Sequence, residues 1–393
     1  MKEIIIREID RLAPRMKEIS KAIYEKPELG FEEFAASKLL IDFLKEGGFD
    51  VEENVLGMPT AFIATKDRGK EGGKVGFLAE YDALPGIGHG CGHNMIGVMS
   101  CAAGIALSKA LDQVGGKVVV FGTPAEETSG TKVDFAEKGF FDDMDAAFMA
   151  HPIGSGYFHS SGESMGLHAL KFEYKGVSAH AAAEPYAGKN ALDGLINTFN
   201  GINALRQQMR TNCRIHGIVR DGGRAANIIP DYASGEFYVR SYDPVHLEDL
   251  LEKVKNCARA GALAAGVELE ISFFEKSYKS LMTNEVLSQA YDRNLKEIGG
   301  IDATPPRDSG SSDIGDVSQR CPAIHPYFNI SEKGGIVAHS KEMAIETQTE
   351  YAKNSMIMIA KVLAATGLDI LTDPVMADAM MAEFKERFPG VRK

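Results

Sequence analysis

The sequence predicts an α/β protein with a mostly parallel sheet that carries helices on both faces, plus a smaller inserted α+β domain. In the first half of the chain, apolar runs of strand length alternate with segments whose apolar side chains recur at helical spacing. Near Leu167 the pattern changes to short strands and long helices, and after about Ser280 the first rhythm returns. We therefore expect a larger domain formed by residues 1–168 and 281–393, which encloses an inserted domain at residues 169–280.

The larger domain is expected to alternate helices with strands. Helices are predicted at residues 3–24, 31–45, 98–111, 131–138 and 351–366. Strands are predicted at residues 61–64, 75–79, 117–122, 146–150 and 324–330. Pro14 should kink or split the first helix, because proline has no N–H to donate and its ring clashes with the preceding turn. Gly47 and Gly48 should end the second helix.

The inserted domain is expected to combine two helices with four short strands. The helices are predicted at residues 188–210 and 247–264. The strands are predicted at residues 169–174, 215–219, 232–238 and 268–274. Together these elements form a compact α+β unit, and we interpret it as a separate domain within the larger one.

The composition is that of an ordinary globular protein and argues against several classes of partner. The formal net charge is −12, from 43 basic and 55 acidic residues, and no long basic run occurs, so neither nucleic acids nor anionic membranes are expected partners. No stretch of about 18 apolar residues predicts a membrane span, and the N-terminal residues lack the apolar core of a signal peptide. Five scattered cysteines indicate a reducing compartment, and the cytoplasm is the expected location.

Four short segments place potential metal ligands just after predicted strands. They are Gly88–Asn94, Thr123–Glu127, His151-Pro152 and Val337–Ser340. Functional sites of open α/β sheets form at the carboxyl ends of the strands, so these segments should meet along one edge. They supply one thiol, three imidazoles and one carboxylate, from Cys91, His93, Glu127, His151 and His339. Zinc, manganese, cobalt and nickel prefer such donors, and five ligands favour two ions that share a bridging water.

The adjacent carboxylates of Glu126 and Glu127 are expected to have different roles. Neighbouring side chains of an extended segment point to opposite sides, so the two groups cannot bind one ion in the same way. Glu127 would bind metal, whereas Glu126 would be the general base that takes a proton from water, an effect worth roughly 10²–10⁴ in rate. Two cations lower the pKa of the water towards about 7, which eases that transfer.

These motifs are similar to those of a known family. The chain resembles the amidohydrolase branch of the aminoacylase/carboxypeptidase metallopeptidase family at Leu78–Asn94, Thr123–Glu127, Met149–Pro152, Gly176–His180, His216-Gly217 and Asn227–Asp231, in the expected order. It is most similar to the β-alanyl-lysine dipeptidase-like and aminobenzoyl-glutamate hydrolase-like members. Asn94, where many members carry Asp, and Glu80-Tyr81, where many carry an Arg-containing segment, also resemble the dipeptidase-like group.

The resemblance implies a metallohydrolase with a catalytic domain and a smaller lid domain that also mediates dimerisation. The catalytic domain would hold two zinc or manganese ions, with cobalt or nickel as alternatives. The implied ligands are Cys91, His93, Glu127, His151 and His339, with Glu126 as the general base. Asp82 matches an aspartate that supports the ligands, and Asn227 matches a lid residue that holds the carboxylate end of the substrate. His216 matches a lid histidine that stabilises the oxyanion, in its own subunit or in the partner subunit.

Three functional interpretations are consistent with these residues. The first, which we expect, is a cytoplasmic homodimeric hydrolase that cleaves the amide bond of N-acyl amino acids or dipeptides with metal-activated water. The second is a thiol hydrolase with Cys91 as nucleophile and a nearby histidine as base, which leaves the glutamate pair and His339 without a role. The third is a non-catalytic, metal-stabilised peptide-binding protein, which leaves Glu126 without a role.

Overall fold

The computed structural model describes residues 1–306 and 310–390, and within them the chain divides into two compact units. The first unit comprises residues 1–163, 281–306 and 313–390. The second unit comprises residues 164–280 and 310–312. A junction between residues 168 and 169, as expected from the sequence, would cut the first strand of the second unit, because that strand begins at Gly166.

The described residues contain twelve α-helices and twelve strands, numbered here in chain order. The helices are α1 (Lys2–Glu25), α2 (Phe34–Glu46), α3 (His93–Ser108), α4 (Leu111–Val114), α5 (Thr131–Glu137), α6 (Ala191–Leu205), α7 (Pro244–Ala265), α8 (Glu285–Gly299), α9 (Ile314–Ser318), α10 (Lys341–Glu346), α11 (Glu350–Thr372) and α12 (Pro374–Arg387). The strands are β1 (Asp50–Glu53), β2 (Phe62–Asp67), β3 (Lys74–Ala79), β4 (Lys117–Gly122), β5 (Ala146–Phe148), β6 (His151–Ile153), β7 (Gly166–Lys175), β8 (Cys213–Asp221), β9 (Tyr232–Ser241), β10 (Glu268–Phe273), β11 (Ala323–Ile324) and β12 (Tyr327–Asn329).

The first unit is built around a six-stranded sheet in the order β1-β2-β4-β3-β5-β11. β3 pairs in parallel with β4 and β5, and β5 pairs in parallel with β11, whereas β1 and β2 extend one edge in antiparallel fashion. The carboxyl ends of β3 and β4 lie side by side, because Ala79 is paired with Gly122. β4 and β5 flank β3 on opposite sides, so the chain segments that connect these strands diverge on either side of β3. Open α/β sheets form their functional sites at such points.

Helix α3 forms the centre of the core of the first unit. All 16 of its residues are buried, and it packs against α1, α11, β3 and β4. Small residues allow the close approach, because a Cβ on Gly104 would lie only 2.6 Å from Cγ2 of Val120 in β4. Among the described residues, α11 is the one helix with the length and apolar composition of a membrane span, but 67% of its most apolar window is buried inside the protein. Core helices of folded domains share that property.

The second unit contains a four-stranded antiparallel sheet in the order β10-β7-β9-β8. Helices α6 and α7 pack against this sheet. Its core joins Phe172 of β7 and Phe237 of β9 to Leu195 of α6 and Val254 of α7. β8 lies at the edge of the sheet, and its residues from His216 onwards are exposed. The unit therefore has a core of its own, and β8 and β10 are the two edge strands of its sheet.

The fold class predicted from the sequence is confirmed, but some elements differ from those expected. α1 continues through Pro14 without a break, because its buried face, which includes Leu12 and Met16, packs in the core and outweighs the lost backbone hydrogen bond. β1 and α12 are additional elements that the apolar periodicity does not predict.

Two of these differences concern candidate site residues. α3 begins at His93, several residues before the predicted start, because Gly92 adopts a left-handed conformation with φ 81° directly before it. The strand predicted at residues 146–150 ends at Phe148, and His151 opens the separate strand β6. His151 thus lies at the start of a strand and not in a loop.

We expect Pro14→Ala to raise the free energy of unfolding by about 1–3 kcal/mol, because alanine restores an N–H donor inside a helix. The position is exposed, so no core contact is lost. Chemical denaturation of the two proteins measures the difference. Lys21→Ala, at another exposed position of α1, is the control and should change stability by less than about 0.5 kcal/mol. A less stable Pro14→Ala protein would show that proline is required in α1.

Candidate metal centre

The carboxyl edge of the parallel strands carries most of the expected side chains. Asp82 follows β3, Glu126 and Glu127 follow β4, and His151 opens β6 shortly after β5. His93 is the first residue of α3, which follows the segment after β3. The parallel pairing of β3 with β4 and β5 brings these segments to one edge of the sheet.

Two overlapping groups of side chains could each hold a metal ion. The ligand atoms of Cys91, His93 and His151 lie within 4.8 Å of one another, and so do those of Cys91, Glu127 and His339. The structure therefore brings all five expected ligands together in the first unit. Cys91 belongs to both groups, so two ions could share its sulfur.

Asp82 orients two of these ligands. Its Oδ1 accepts a hydrogen bond from Nδ1 of His93 at 2.9 Å, and its Oδ2 accepts one from the backbone N–H of Glu127 at 3.0 Å. Because Nδ1 of His93 carries the proton that it donates to the carboxylate, its Nε2 keeps a lone pair for a metal ion. The position expected to support the ligands therefore contacts two of them.

Backbone contacts orient the other two histidines. Nδ1 of His151 donates to the carbonyl oxygen of Pro152 at 2.9 Å, which leaves Nε2 of His151 facing the cluster. His339 has a left-handed backbone with φ 60°, and its N–H donates to the carbonyl oxygen of Gly90 at 2.9 Å. Nε2 of His339 lies 3.4 Å from Oε1 of Glu127. Strained residues of this kind concentrate at functional sites.

Unpaired polar atoms in the cluster fit a bound cation. Oε2 of Glu80, Nε2 of His93 and Oε1 of Glu127 are buried and have no hydrogen-bond partner. A buried polar atom without a partner costs about 1–3 kcal/mol. Nε2 of His93 lies 3.4 Å from Oε2 of Glu80 and 3.9 Å from Oε1 of Glu127, so these atoms face one another. Divalent ions would satisfy them, and the thiolate, imidazole and carboxylate donors suit zinc or manganese.

The electrostatics of the cluster distinguish the two glutamates. Burial, together with the charge of Glu80, raises the pKa of Glu126 well above its usual value. Burial would also raise the pKa of Glu127, but the nearby imidazole of His339 and the charge of His93 lower it to about 2. Glu127 is therefore an anion suited to bind a cation, whereas Glu126 is a carboxyl group with a high affinity for a proton.

The same environment disfavours Cys91 as a nucleophile. Sγ of Cys91 lies 3.3 Å from Nε2 of His151, which is close enough for a thiol–imidazole pair. Burial, however, raises the pKa of the Cys91 thiol and lowers the pKa of His151 to about 4. A thiolate–imidazolium pair needs the opposite shifts. The interpretation as a thiol hydrolase is therefore not supported.

A buried ion-pair cluster lies beside the centre, and no sequence pattern predicts it. Nζ of Lys132 lies 2.6 Å from Oε1 of Glu80 and 2.7 Å from Oδ1 of Asp313, and all three residues are buried. The carboxylates of Glu80, Glu126 and Asp313 also lie within 4.8 Å of one another. In the sequence, Lys132 stands in a polar segment and resembles a surface lysine, so only the fold shows that it is buried.

His216 and Asn227 lie in the second unit. His216 is an exposed residue of β8 paired with Tyr238 of β9, and the centroids of their rings are 5.4 Å apart. Asn227 is exposed between β8 and β9, and its carbonyl oxygen accepts a hydrogen bond from the N–H of Ala181. Arg240 was not among the expected site residues. Its guanidinium lies 5.1 Å from the ring centroid of Tyr238, and its buried Nε has no hydrogen-bond partner.

Comparisons with known proteins show related sequences along nearly the whole chain. The family model of the M20 peptidase dimerisation domain matches residues 163–265. The chain is 37% identical to Xaa-Arg dipeptidase of Mus musculus over 396 residues, which cover 96% of this chain and 90% of that protein. The chain belongs to the M20 peptidase family.

Two further similarities concern the sequence and the fold, respectively. One chain of the p-aminobenzoyl-glutamate hydrolase of Escherichia coli strain K12 is 28% identical over 91% of this chain and 89% of its own length. A solved structure of a dinuclear metal binding M20 peptidase from Bacillus subtilis matches 93% of this chain and 99% of its own with a TM-score of 0.73 at 19% identity. This M20 peptidase is a metal-dependent hydrolase with an α/β catalytic domain and an inserted dimerisation domain.

We expect Asp82→Ala to weaken metal binding by roughly 10–100-fold, because it removes the acceptor that orients two ligands. Nδ1 of His93 and the N–H of Glu127 would both lose their partner. Asp82→Asn keeps one acceptor oxygen and should lose less. The measurement is the metal retained by each protein after dialysis against increasing chelator. Equal retention by the wild type and Asp82→Ala would show that these two hydrogen bonds do not organise the ligands.

Proposed function

We propose that this M20 peptidase hydrolyses the amide bond of dipeptides or N-acyl amino acids at the cluster of Cys91, His93, Glu127, His151 and His339. The observation that carries the proposal is that the Glu126 carboxyl lies within 4.8 Å of the ligand atoms of His93 and Glu127, in a cluster of five side chains that could hold two divalent ions. Dipeptides are the first substrates to test, because the 37% identical relative is named an Xaa-Arg dipeptidase. The name of the Escherichia coli relative, a p-aminobenzoyl-glutamate hydrolase, supports acyl amino acids as the wider class.

In this mechanism Glu126 moves the proton. Bound divalent ions would supply the positive charge that makes water more acidic and the substrate carbonyl more electrophilic. Glu126 takes one proton from the water as the water oxygen adds to the carbonyl carbon. When the carbon–nitrogen bond breaks, Glu126 gives this proton to the leaving amine, so one carboxyl serves first as base and then as acid. Burial raises the pKa of Glu126, and bound cations would lower it again towards the range in which the group can both take and give a proton.

Three residues of the second unit are assigned to the substrate. His216 would donate a hydrogen bond to the developing oxyanion, and burial with the charge of Arg240 lowers the pKa of His216, which keeps its imidazole neutral. Asn227 would bind the carboxylate end of the substrate. Arg240 is suited to the same anionic group, because its Nε has no partner and guanidinium groups pair strongly with carboxylates.

Zinc and manganese are the proposed metals, with cobalt and nickel as alternatives, because the ligand set mixes a thiol and imidazoles with a carboxylate. The proposed assembly is a homodimer through the second unit. The match to a dimerisation domain and the half-exposed side chains of Ile218 and Val219 on the edge strand β8 support it. His216 lies on the same strand. It would act in the active site of its own subunit or in that of the partner subunit. Five free cysteines support a cytoplasmic location.

Glu126→Gln should lower kcat by roughly 10²–10⁴ and leave metal content unchanged, because the amide keeps the shape of the carboxyl but cannot carry the proton. Amine release from Xaa-Arg and β-alanyl dipeptides, N-acyl amino acids and p-aminobenzoyl-glutamate measures activity in protein loaded with Zn²⁺ or Mn²⁺. Glu137→Gln, at an exposed position of α5, is the matched control and should retain full activity. Full activity of Glu126→Gln would exclude this residue from the mechanism, and a wild type inactive on the whole panel would contradict the function.

His216→Ala should lower kcat by roughly 10²–10³ without loss of metal, because it removes one oxyanion donor. Steady-state kinetics on the best substrate of the panel and metal analysis provide the two measurements. His246→Ala changes another histidine of the second unit, on α7, and should leave kcat unchanged. Equal losses of kcat in both variants would assign the effect of His216 to the integrity of the second unit.

A further inference from the structure

A strained residue directly precedes the two functional glutamates. Ala125 has φ 58°, in the left-handed region that residues with a side chain rarely adopt. Peptide units are planar, so a change of this dihedral would turn the chain that leads into Glu126 and Glu127 as a body. The contact that keeps Ala125 in this conformation therefore also sets the directions of both carboxyl groups.

Glu33 makes that contact. Its Oε1 accepts a hydrogen bond from the N–H of Ala125 at 2.8 Å, and its Oε2 accepts one from the hydroxyl of Thr60 at 2.9 Å. The carbonyl oxygen of Thr60 in turn accepts the hydroxyl of Tyr81 at 2.5 Å. Glu33 is fully buried, so no water competes for these bonds. A buried carboxyl group that is itself fixed by a second hydrogen bond holds a backbone N–H firmly in place.

The segment that carries Glu33 contacts the ligand-bearing loops at two more points. A Cβ on Gly30 would lie 2.8 Å from Cβ of Ala125, so this segment packs directly on the strained residue. The carbonyl oxygen of Glu28 accepts a hydrogen bond from the N–H of Ala83 at 2.9 Å, next to the aspartate that orients the ligands. The segment between α1 and α2 therefore packs against both loops of the metal centre, the one that follows β3 and the one that follows β4.

We propose that Glu33 is a positioning residue of the metal centre, whose carboxyl holds Ala125 in the left-handed conformation and so directs Glu127 to the metal ligands and Glu126 to the reacting water. This inference rests on the proposed function for the roles of the two glutamates. Glu33 accepts the backbone N–H of Ala125, directly before Glu126, and acts through that backbone. Asp82 accepts a hydrogen bond from the N–H of Glu127. The carboxyl groups of Glu33 and Asp82 therefore bind this loop at two N–H groups that are two residues apart.

Four variants separate this role from general support of the fold. Glu33→Ala removes the acceptor, whereas Glu33→Gln keeps an oxygen that can accept the N–H of Ala125. Glu33→Ala combined with Ala125→Gly replaces the strained residue by glycine, which adopts a positive φ without penalty. Glu32→Ala is the matched control, because Glu32 is the neighbouring glutamate of the same segment and its side chain is exposed.

Binding of Mn²⁺ alone to chelator-stripped protein is the primary measurement, by titration calorimetry and by the electron paramagnetic resonance signal of two coupled ions. We expect Glu33→Ala to weaken Mn²⁺ binding by roughly 10–100-fold and to lose the coupled signal. Glu33→Gln should behave as wild type, and the added glycine should recover most of the loss. On the best dipeptide substrate, kcat should fall with Mn²⁺ affinity while KM changes little. Glu32→Ala should leave Mn²⁺ binding intact.

Equal Mn²⁺ binding by Glu33→Ala and wild type would overturn the proposal, and so would a loss that the added glycine does not recover. If Glu33→Ala does not fold, Glu33→Asp replaces it, because the shorter side chain keeps the charge and loses the reach to Ala125. A wild type that binds two Mn²⁺ ions and hydrolyses no substrate would refute the proposed function, and the Mn²⁺ data would still decide the role of Glu33. A wild type that binds no Mn²⁺ would refute both.

Discussion

One buried carboxylate, that of Asp82, joins the parts of the chain that form the metal centre. It binds the imidazole of His93 with one oxygen and the backbone of Glu127 with the other. These partners come from different elements, since His93 opens α3, Glu127 follows β4, and Asp82 itself follows β3. Their separation depends on the parallel pairing of β3 with β4 and on the packing of α3 against both. The side chain of Asp82 thus fixes the positions of His93 and Glu127 relative to the sheet.

The centre also concentrates buried carboxyl groups. The carboxylates of Glu80, Glu126 and Asp313 lie together, and Lys132 is the cation that contacts two of them. Carboxyl groups held this close repel one another when charged, so this arrangement favours the uptake of further positive charge. Divalent ions would provide it and would satisfy the unpaired ligand atoms at the same time. Metal binding and the stability of the first unit should therefore be coupled.

Much of this centre could be predicted because its chemistry follows a general rule of open sheets. Strands are recognisable as apolar runs, and the side chains directly after them meet at one edge, so Glu127 and His151 could be placed near each other from the sequence. Local backbone choices were harder to predict. The left-handed conformation of Gly92 decides where α3 begins, and no periodicity shows it.

The residues that the sequence did not reveal act over long separations along the chain. Glu33 lies 92 positions before Ala125, whose N–H donates a hydrogen bond to it. Lys132 forms an ion pair with Asp313, which lies 181 positions later. Each resembles an ordinary surface residue until the fold shows that it is buried. Such partners depend on the packing of distant segments, which neither spacing nor composition encodes. Arg240, on a strand of the second unit, was missed because a strand arginine more often faces solvent.

The number of Mn²⁺ ions bound per chain, in the wild type and in Cys91→Ala, tests the central claim most directly. Cys91 belongs to both groups of ligand atoms, so we expect the wild type to bind two ions and the variant to lose both. Cys101→Ala changes a different buried cysteine, which lies in α3, and this variant should still bind two ions. Two ions bound by Cys91→Ala with wild-type affinity would contradict a centre organised around a shared thiolate.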